Sequence, residues 1–191
     1  MDIIVVRHGQ TDWNVKDLLQ GQTDVELNEA GEMQAKETAE KLKSIKIDEI
    51  YVSPLKRTIK TAKEINENRN LELKIEPRLI ERGFGAYEGK SKVQFKKYWN
   101  YETNESDNNV EPIKEFFDRV YSLLKELEDT YKNKDLTIAL VTHNGTNLAI
   151  TSILNGLKDN IFEYNLKPCE YRIFKNISLK SWEEFNGKYK V

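Results

Sequence analysis

Short apolar runs alternate along the chain with segments whose apolar residues recur at helical spacing. The β-branched run at residues 3–6 and the apolar run at 136–141 predict two buried strands. Further strand candidates lie at 47–52, 71–75, 171–177 and 179–185. Between them, Asn28 is a candidate N-cap for a helix that contains Ala35, Ala39 and Leu42 on one face. Three more helices are predicted at 55–65, 116–131 and 148–154.

This alternation predicts an α/β fold, a three-layer α/β/α sandwich around a mostly parallel central sheet. Residues 1–191 have the length of a single domain and contain no internal repeat. The polar stretch 90–112 is predicted to be a lid insertion that follows a glycine-containing loop at 77–89. The two late strand candidates are expected to form a hairpin or a sheet edge. An exposed edge could pair with a second copy of the chain, so a homodimer is possible.

Composition narrows the function classes before any motif is considered. Apolar residues make up 38% of the chain and charged residues 32%, and the formal net charge is −2. This balance argues against nucleic acid as the main partner, and the apolar runs are too short to span a membrane. No secretory signal is visible, so a cytoplasmic location is expected. Cys169 is the single cysteine, which excludes an internal disulfide and a cysteine-based zinc site.

The two histidines of the chain each follow an apolar strand. His8 comes after 3–6, and His143 comes after 136–141. Ligands of parallel sheets bind beyond the carboxyl ends of the strands, where both histidines are expected. Arg7 lies beside His8, and Arg57 lies in the first turn of a predicted helix for which the pair Ser53-Pro54 is the candidate N-cap and first turn.

Together these side chains predict a pocket for an anion such as phosphate, because arginine forks and helix N-termini both bind phosphate oxygens. Glycines near both histidines, Gly9 and Gly145, are expected to let the backbone approach a ligand closely. Either histidine alone is equally well explained as a core or capping residue. A metal site is the other alternative, and the spacing of the two histidines does not favour it.

At this point the sequence resembles the histidine phosphatase superfamily, in its cofactor-dependent phosphoglycerate mutase-like branch. The resemblance rests on five ordered blocks that span most of the chain between residues 3 and 155. The blocks are Arg7-His8-Gly9-Gln10-Thr11-Asp12-Trp13-Asn14, the stretch 19–35, Ser53-Pro54-Leu55-Lys56-Arg57-Thr58 with Thr61-Ala62, the stretch 79–89, and Val141-Thr142-His143-Asn144-Gly145.

The resemblance implies a role for each matching residue. His8 is the expected nucleophile, and Glu81 is the expected general acid and base. Glu88, in the same loop, is the rival acid, although a carboxylate that orders the loop is the more ordinary interpretation. The residues expected to hold the phosphate oxygens or line the pocket are Arg7, Arg57, a protonated His143, Asn14, Gln20, Gly21 and Asn144. Asn144 departs from the glycine that is usual in the mutases.

The resemblance leaves the reaction open between a phosphatase and a mutase. The mutases carry adjacent arginines in the insertion after the glutamate block, and residues 90–99 here contain lysines and aromatic residues but no arginine. We therefore expect a phosphatase, without metal or other cofactor, that acts on small phosphorylated metabolites through a phosphohistidine. The alternatives are a 2,3-bisphosphoglycerate-dependent phosphoglycerate mutase and, in a different class, a protein that only binds phosphorylated ligands or serves as a scaffold.

Overall fold

A five-stranded sheet lies at the centre of the protein, for which a computed structural model describes residues 1–93, 108–156 and 160–181. The strand order is β3-β2-β4-β1-β5. The strands are β1 (Asp2–Arg7), β2 (Glu49–Val52), β3 (Leu73–Ile75), β4 (Thr137–Thr142) and β5 (Tyr171–Phe174). Every neighbouring pair is parallel except β1 and β5, which are antiparallel. The predicted mostly parallel sheet is therefore confirmed.

Helices connect these strands and cover both faces of the sheet. They are α1 (Asp12–Val15), α2 (Glu29–Leu42), α3 (Lys56–Asn66), α4 (Ile113–Tyr131) and α5 (Asn144–Asn155). The predicted N-cap of α2 is confirmed, because the Asn28 side chain accepts a hydrogen bond from the Gly31 amide at 2.9 Å. In the described ranges, no helix combines the length and apolarity that crossing a membrane requires.

Two apolar cores on opposite faces of the sheet give the three-layer architecture. Alternate residues of β1 point to opposite faces, so Ile3 and Val5 pack in the core beneath α4 and α5. Ile4 and Val6 belong to the other core, beneath α2 and α3. All four side chains are fully buried, as expected for an inner strand covered by helices on both sides. The α/β/α prediction is confirmed.

Several local predictions differ from the structure. The N-cap of α3 is Leu55 rather than Ser53, and the amide of Lys56 at the start of the helix donates to Asp24 Oδ1 at 2.8 Å. Helix α1 begins after Thr11, whose side chain forms a capping box with Asn14, and the sequence analysis did not predict this short helix. The predicted loop 77–89 contains two 3-10 turns. Residues 179–181 are not in a strand.

Two of the predictions fall largely outside the described residues. The structure describes only the ends of the predicted lid, at 90–93 and 108–112, and residues 182–185 of the last strand candidate are likewise outside it. At the first end, Ser91 forms an isolated antiparallel bridge with Leu18. Lys92 forms an ion pair with Asp17 at 3.1 Å. These contacts place the start of the insertion beside the loop that follows α1.

Candidate active site

A cavity of about 580 Å³ opens beyond the carboxyl ends of β1 and β4. Its volume is typical of small-molecule sites. Eight of the nine predicted site residues line it, namely Arg7, His8, Asn14, Gln20, Gly21, Arg57, Glu81 and Asn144. The ninth, His143, is fully buried next to His8, and the centroids of the two rings are 5.2 Å apart. The fold thus brings the predicted residues together.

The His8 ring has a fixed orientation and tautomer. Its Nδ1 donates to the carbonyl oxygen of Gly9 at 2.7 Å, so Nε2 is the ring nitrogen with a free lone pair when the ring is neutral. Burial, together with the charges of Arg57 and Arg7, lowers the His8 pKa well below its ordinary value. The imidazole is therefore neutral near pH 7, as a nitrogen nucleophile has to be.

Gly9 is required by packing rather than by ligand approach, contrary to the expectation from its sequence position. A Cβ atom at Gly9 would lie 2.4 Å from the carbonyl oxygen of Gly31. Gly31 lies in the first turn of α2, so the backbone after β1 passes in direct contact with this helix. This close approach fixes the path of the chain immediately after His8.

Arg57 lies in the first turn of α3 and is fully buried. Its guanidinium donates to the carbonyl oxygens of Thr23 at 2.7 Å and Gly21 at 2.8 Å, and Nε donates to His143 Nδ1 at 3.3 Å. Burial lowers the Arg57 pKa to about 10, so the group stays charged near pH 7. A charged fork held at three points can bind an anion without being reoriented.

His143 differs from the expectation that it is protonated. Its Nδ1 accepts from Arg57, and its Nε2 therefore carries the proton and donates to Ser53 Oγ at 2.7 Å. Burial is the largest cause that lowers the His143 pKa well below its ordinary value, and the charge of Arg57 acts in the same direction. The structure thus shows a neutral imidazole that orients the guanidinium, and the prediction of a protonated ring is wrong here.

Arg7 is held by residues 164–170, a segment that the sequence analysis did not single out. Its Nη1 donates to the carbonyl oxygen of Leu166 at 2.5 Å. Arg7 Nε is buried without a hydrogen-bond partner in the described part of the chain. The same segment contacts the backbone directly after β1, because the Cys169 amide donates to the carbonyl oxygen of His8 at 3.2 Å. Residues 164–170 therefore fix both Arg7 and the backbone of His8.

The Glu81 carboxylate faces the N-terminus of α5. Oε2 accepts from the Gly145 amide at 2.9 Å, and Oε1 accepts from the Thr146 amide at 3.1 Å. Oε1 also accepts from the amide of Arg82 at 3.0 Å. Amides in the first turn of a helix have no partner within the helix, so the bonds from Gly145 and Thr146 hold the carboxyl group at the cavity wall.

Glu88, the rival acid, is used to order a loop. Its Oε1 accepts from the amides of Gln22 at 2.9 Å and Phe84 at 3.0 Å, and its Oε2 accepts from the amide of Thr23 at 2.8 Å. A Cβ atom at Gly21, where φ is +50°, would lie 2.0 Å from Oε1. These contacts match the loop-ordering interpretation of Glu88, and they shape the loop whose carbonyl groups hold Arg57.

Asn14 and Gln20 both line the cavity, but their side-chain oxygens differ in hydrogen bonding. Asn14 Oδ1 accepts from the Thr11 amide and hydroxyl, each at 3.1 Å, which completes the capping box of α1. Only its amino group is then left to donate to a ligand. Gln20 Oε1 is buried and has no hydrogen-bond partner among the described residues.

The Asn144 side chain binds two residues of the segment 164–170. Its Oδ1 accepts from the Leu166 amide at 3.1 Å, and its Nδ2 donates to Asn165 Oδ1 at 2.8 Å. The asparagine that departs from the usual glycine of the mutases therefore fastens residues 164–170 to the first residue of α5.

Two hydroxyl groups hold the segments that carry the histidines, and neither was predicted from the sequence as a site residue. Ser53 Oγ binds His143, and Thr61 Oγ1 accepts from the amide of Gly9 at 3.1 Å. Ser53 directly follows β2, which is the same strand-end position that singled out the two histidines. Its position was therefore a usable signal, but the Ser-Pro pair favoured a helix cap instead.

Arg119 is a second omission, and it lies on α4. Its guanidinium donates to the carbonyl oxygens of Arg78, Ile80 and Glu81 and to both carboxylate oxygens of Glu111, at 2.7 to 3.1 Å. This network fixes the backbone that carries the Glu81 side chain. No local pattern indicates this contact, since the arginine lies 38 residues from Glu81 on an amphipathic helix.

The remaining wall of the cavity combines apolar and charged side chains. Its apolar side chains include Leu18, Phe84, Leu148 and Phe162, and its charged residues are Asp17, Lys92, Lys167 and Glu170. Apolar surface beside a few charged groups suits a small ligand with a charged group at one end. Within the described ranges, no group of three or more histidine, cysteine, aspartate and glutamate side chains is placed to hold a metal ion.

Comparison with known proteins identifies the family. Residues 3–179 match the histidine phosphatase superfamily (branch 1). The chain is 37% identical over 157 residues to the uncharacterized phosphatase PhoE of Bacillus subtilis, covering 81% of this chain and 77% of that protein. It is also 37% identical over 155 residues to phosphoglycerate mutase-like protein 4 of Arabidopsis thaliana, covering 75% of this chain and 66% of that protein.

Solved structures agree with the family match. The native structure of a mycobacterial glucosyl-3-phosphoglycerate phosphatase superposes with a TM-score of 0.78 at 26% identity, covering 90% of this chain and 88% of that one. The predicted phosphoglycerate mutase-like fold is thereby confirmed, as is an enzyme of the phosphoric monoester hydrolase type. The chain belongs to the histidine phosphatase superfamily, branch 1.

Proposed function

We propose that this enzyme is a metal-independent phosphatase that hydrolyses small phosphate monoesters through a phosphohistidine on His8. The observation that carries the proposal is the orientation of the His8 ring. Nδ1 is bound to the Gly9 carbonyl, which leaves Nε2 as the attacking atom in a residue that lines the cavity. A neutral imidazole with a fixed tautomer is an activated nucleophile that needs no further base.

In the first step, His8 Nε2 attacks the phosphorus atom in line with the ester oxygen. The bond between phosphorus and that oxygen breaks as the bond to nitrogen forms. Glu81, in its protonated form, gives its proton to the departing alkoxide. In the second step Glu81, now a carboxylate, takes a proton from the attacking water, and the phosphorus–nitrogen bond breaks to release phosphate.

Positive charge at the phosphate comes from the two arginines in this proposal. Arg7 and Arg57 both line the cavity, as His8 does, and are held by backbone carbonyl groups before substrate binds. Preorganised charge stabilises the transferring phosphoryl group without the cost of reorienting dipoles during the reaction. His143 contributes by orienting Arg57 through Nδ1.

The leaving group is expected to be that of a small phosphorylated metabolite. A cavity of about 580 Å³ accommodates a compact ester with its phosphate at Arg7 and Arg57. Two relatives with phosphatase names, in Bacillus subtilis and in mycobacteria, support hydrolysis over phosphoryl transfer to a second metabolite.

The test is hydrolysis of p-nitrophenyl phosphate in the presence of EDTA by the wild type, His8→Ala and Glu81→Gln. We expect turnover by the wild type and no turnover by His8→Ala. Glu81→Gln should lose roughly 100-fold or more in kcat on an alkyl phosphate and much less on p-nitrophenyl phosphate, whose leaving group needs little protonation. Glu88→Gln is the matched carboxylate control, and it should not show this dependence on the leaving group.

Other outcomes would redirect the proposal. No turnover by the wild type would contradict a phosphatase, and interconversion of phosphoglycerates with a trace of 2,3-bisphosphoglycerate would then establish a mutase. Binding of phosphate without either reaction would indicate a protein that only binds phosphorylated ligands. Activity that EDTA abolishes and added metal restores would contradict the metal-independent step.

A further inference from the structure

Asn144 makes two contacts that converge on residues 164–170. Its carboxamide oxygen accepts from the Leu166 amide at 3.1 Å, and its amino group donates to Asn165 Oδ1 at 2.8 Å. The carbonyl oxygen of the same Leu166 then accepts from Arg7 Nη1 at 2.5 Å. One side chain at the start of α5 thus holds the peptide that in turn holds the guanidinium.

Arg7 depends on this peptide more than Arg57 depends on any single partner. Arg57 is fixed by three acceptors, whereas Leu166 is the acceptor that the structure gives for the Arg7 side chain. Arg7 Nε is buried without a hydrogen-bond partner in the described residues. An arginine side chain has many rotamers, so its orientation before ligand binding depends on what restrains it.

We propose that Asn144 is a positioning residue, which preorganises Arg7 for phosphate by fixing the carbonyl group of Leu166. The inference rests on the proposed function only in taking Arg7 as a phosphate ligand. It gives the departure from the mutase glycine a physical meaning, since glycine has no side chain with which to hold residues 164–170. Preorganisation of this kind improves affinity by reducing what is lost on binding.

The primary test measures the Kd of inorganic phosphate by calorimetry, so that it does not require turnover. Asn144→Ala should weaken phosphate binding about 10-fold, the effect of losing one well-placed contact to a charged group. Asn165→Ala should weaken it less, because the bond to the Leu166 amide remains.

Two controls separate positioning from a general loss of stability. Asn66 clamps a loop in the same two-point way, since its Nδ2 donates to the Leu71 carbonyl at 2.7 Å and its Oδ1 accepts from the Leu71 amide at 3.0 Å. Asn66→Ala should leave the Kd within about twofold of wild type. In an Arg7→Ala background, Asn144→Ala should cause little further loss, because contacts that act through one group are not additive.

Several results would overturn the inference. These are an unchanged Kd in Asn144→Ala, an equal loss in Asn66→Ala, a fully additive double variant, or a wild type that does not bind phosphate. The hydrolysis assay is read separately on the same proteins. If phosphate binding follows the expected pattern while p-nitrophenyl phosphate is not hydrolysed, the positioning role stands and the proposed phosphatase fails.

Discussion

The carboxyl ends of β1 and β4 carry the two histidines in closely related positions, yet the two rings have different surroundings. The strands pair in parallel, and the His8 amide donates to the carbonyl oxygen of Thr142 at 2.9 Å. His8 uses one ring nitrogen locally, on the carbonyl of the next residue. His143 uses both nitrogens on distant elements, on Ser53 after β2 and Arg57 on α3.

Because of this difference, we expect the two rings to have different roles. A ring that is fixed through one nitrogen keeps the other for chemistry, which suits a nucleophile. A ring that is bound through both nitrogens transmits orientation, in this case to the buried Arg57. Residues that look equivalent along the chain are therefore distinguished by their hydrogen-bond partners, and substitutions at either histidine or at its partners should have different effects.

The largest expected effect separates the two histidines directly. His143→Ala should lower kcat/KM about 100-fold, the usual effect of losing a preorganised charge, because Arg57 loses the ring that orients it. The variant should still accumulate an acid-labile phosphoenzyme. His8→Ala should form none, because the attacking nitrogen is gone. Intact-protein mass spectrometry after rapid mixing with substrate measures the adduct. An adduct in His8→Ala, or none in His143→Ala, would reverse the assignment.

Arg57→Lys tests whether His143 acts through the guanidinium fork. A lysine ammonium cannot reach the two carbonyl oxygens and the imidazole together, so kcat/KM should fall by roughly 30-fold. His143→Ala should then add little in the Arg57→Lys background. Lys56→Ala, at the exposed neighbouring position, is the control and should have full activity. Independent, multiplying losses for the two variants would separate His143 from Arg57.

Ser53→Ala removes the partner of His143 Nε2 and should cost about 10-fold in kcat/KM, since one buried hydrogen bond is lost. Ser152→Ala is the matched control. Ser152 Oγ is also buried, but it has no hydrogen-bond partner among the described residues, so its removal should leave kcat/KM within about twofold of wild type. Equal effects of the two substitutions would mean that Ser53 only fills space.

The smallest effect concerns stability against pH. Both histidines have a lowered pKa in the folded state because of burial and neighbouring arginine charge, so the unfolded chain binds more protons. Their contribution is fully present above an unfolded pKa of about 6.5 and is lost as the pH falls toward the folded values. For each histidine, the unfolding free energy should therefore fall by up to about 1.4 kcal/mol for each pH unit below that point.

Urea unfolding at several pH values between about 7 and 5 measures this slope. His8→Asn and His143→Asn should each have a shallower slope than the wild type, whatever their absolute stability. A slope that neither substitution changes would show that the two rings bind protons equally in the folded and unfolded states, and it would remove the neutral-ring basis of the comparison.

Much of the fold and the floor of the site follow from local sequence pattern. Apolar β-branched runs alternating with amphipathic helices give a parallel sheet, and a parallel sheet brings the residues after its strands to one edge. That reasoning placed His8, His143 and Arg57 at one site, and the capping preference of Asn28 fixed the start of α2. These inferences succeed because each depends on neighbours within a few residues.

Tertiary structure alone decided the states and partners of those residues. Ser53 and His143 are 90 residues apart, and Arg7 and Leu166 are 159 residues apart. No local preference links such positions, because the geometry of these hydrogen bonds exists only after the sheet and helices have packed. The sequence by itself determined which groups meet at the strand ends. Packing determined that one histidine keeps a free nitrogen while the other is neutral and bound on both sides.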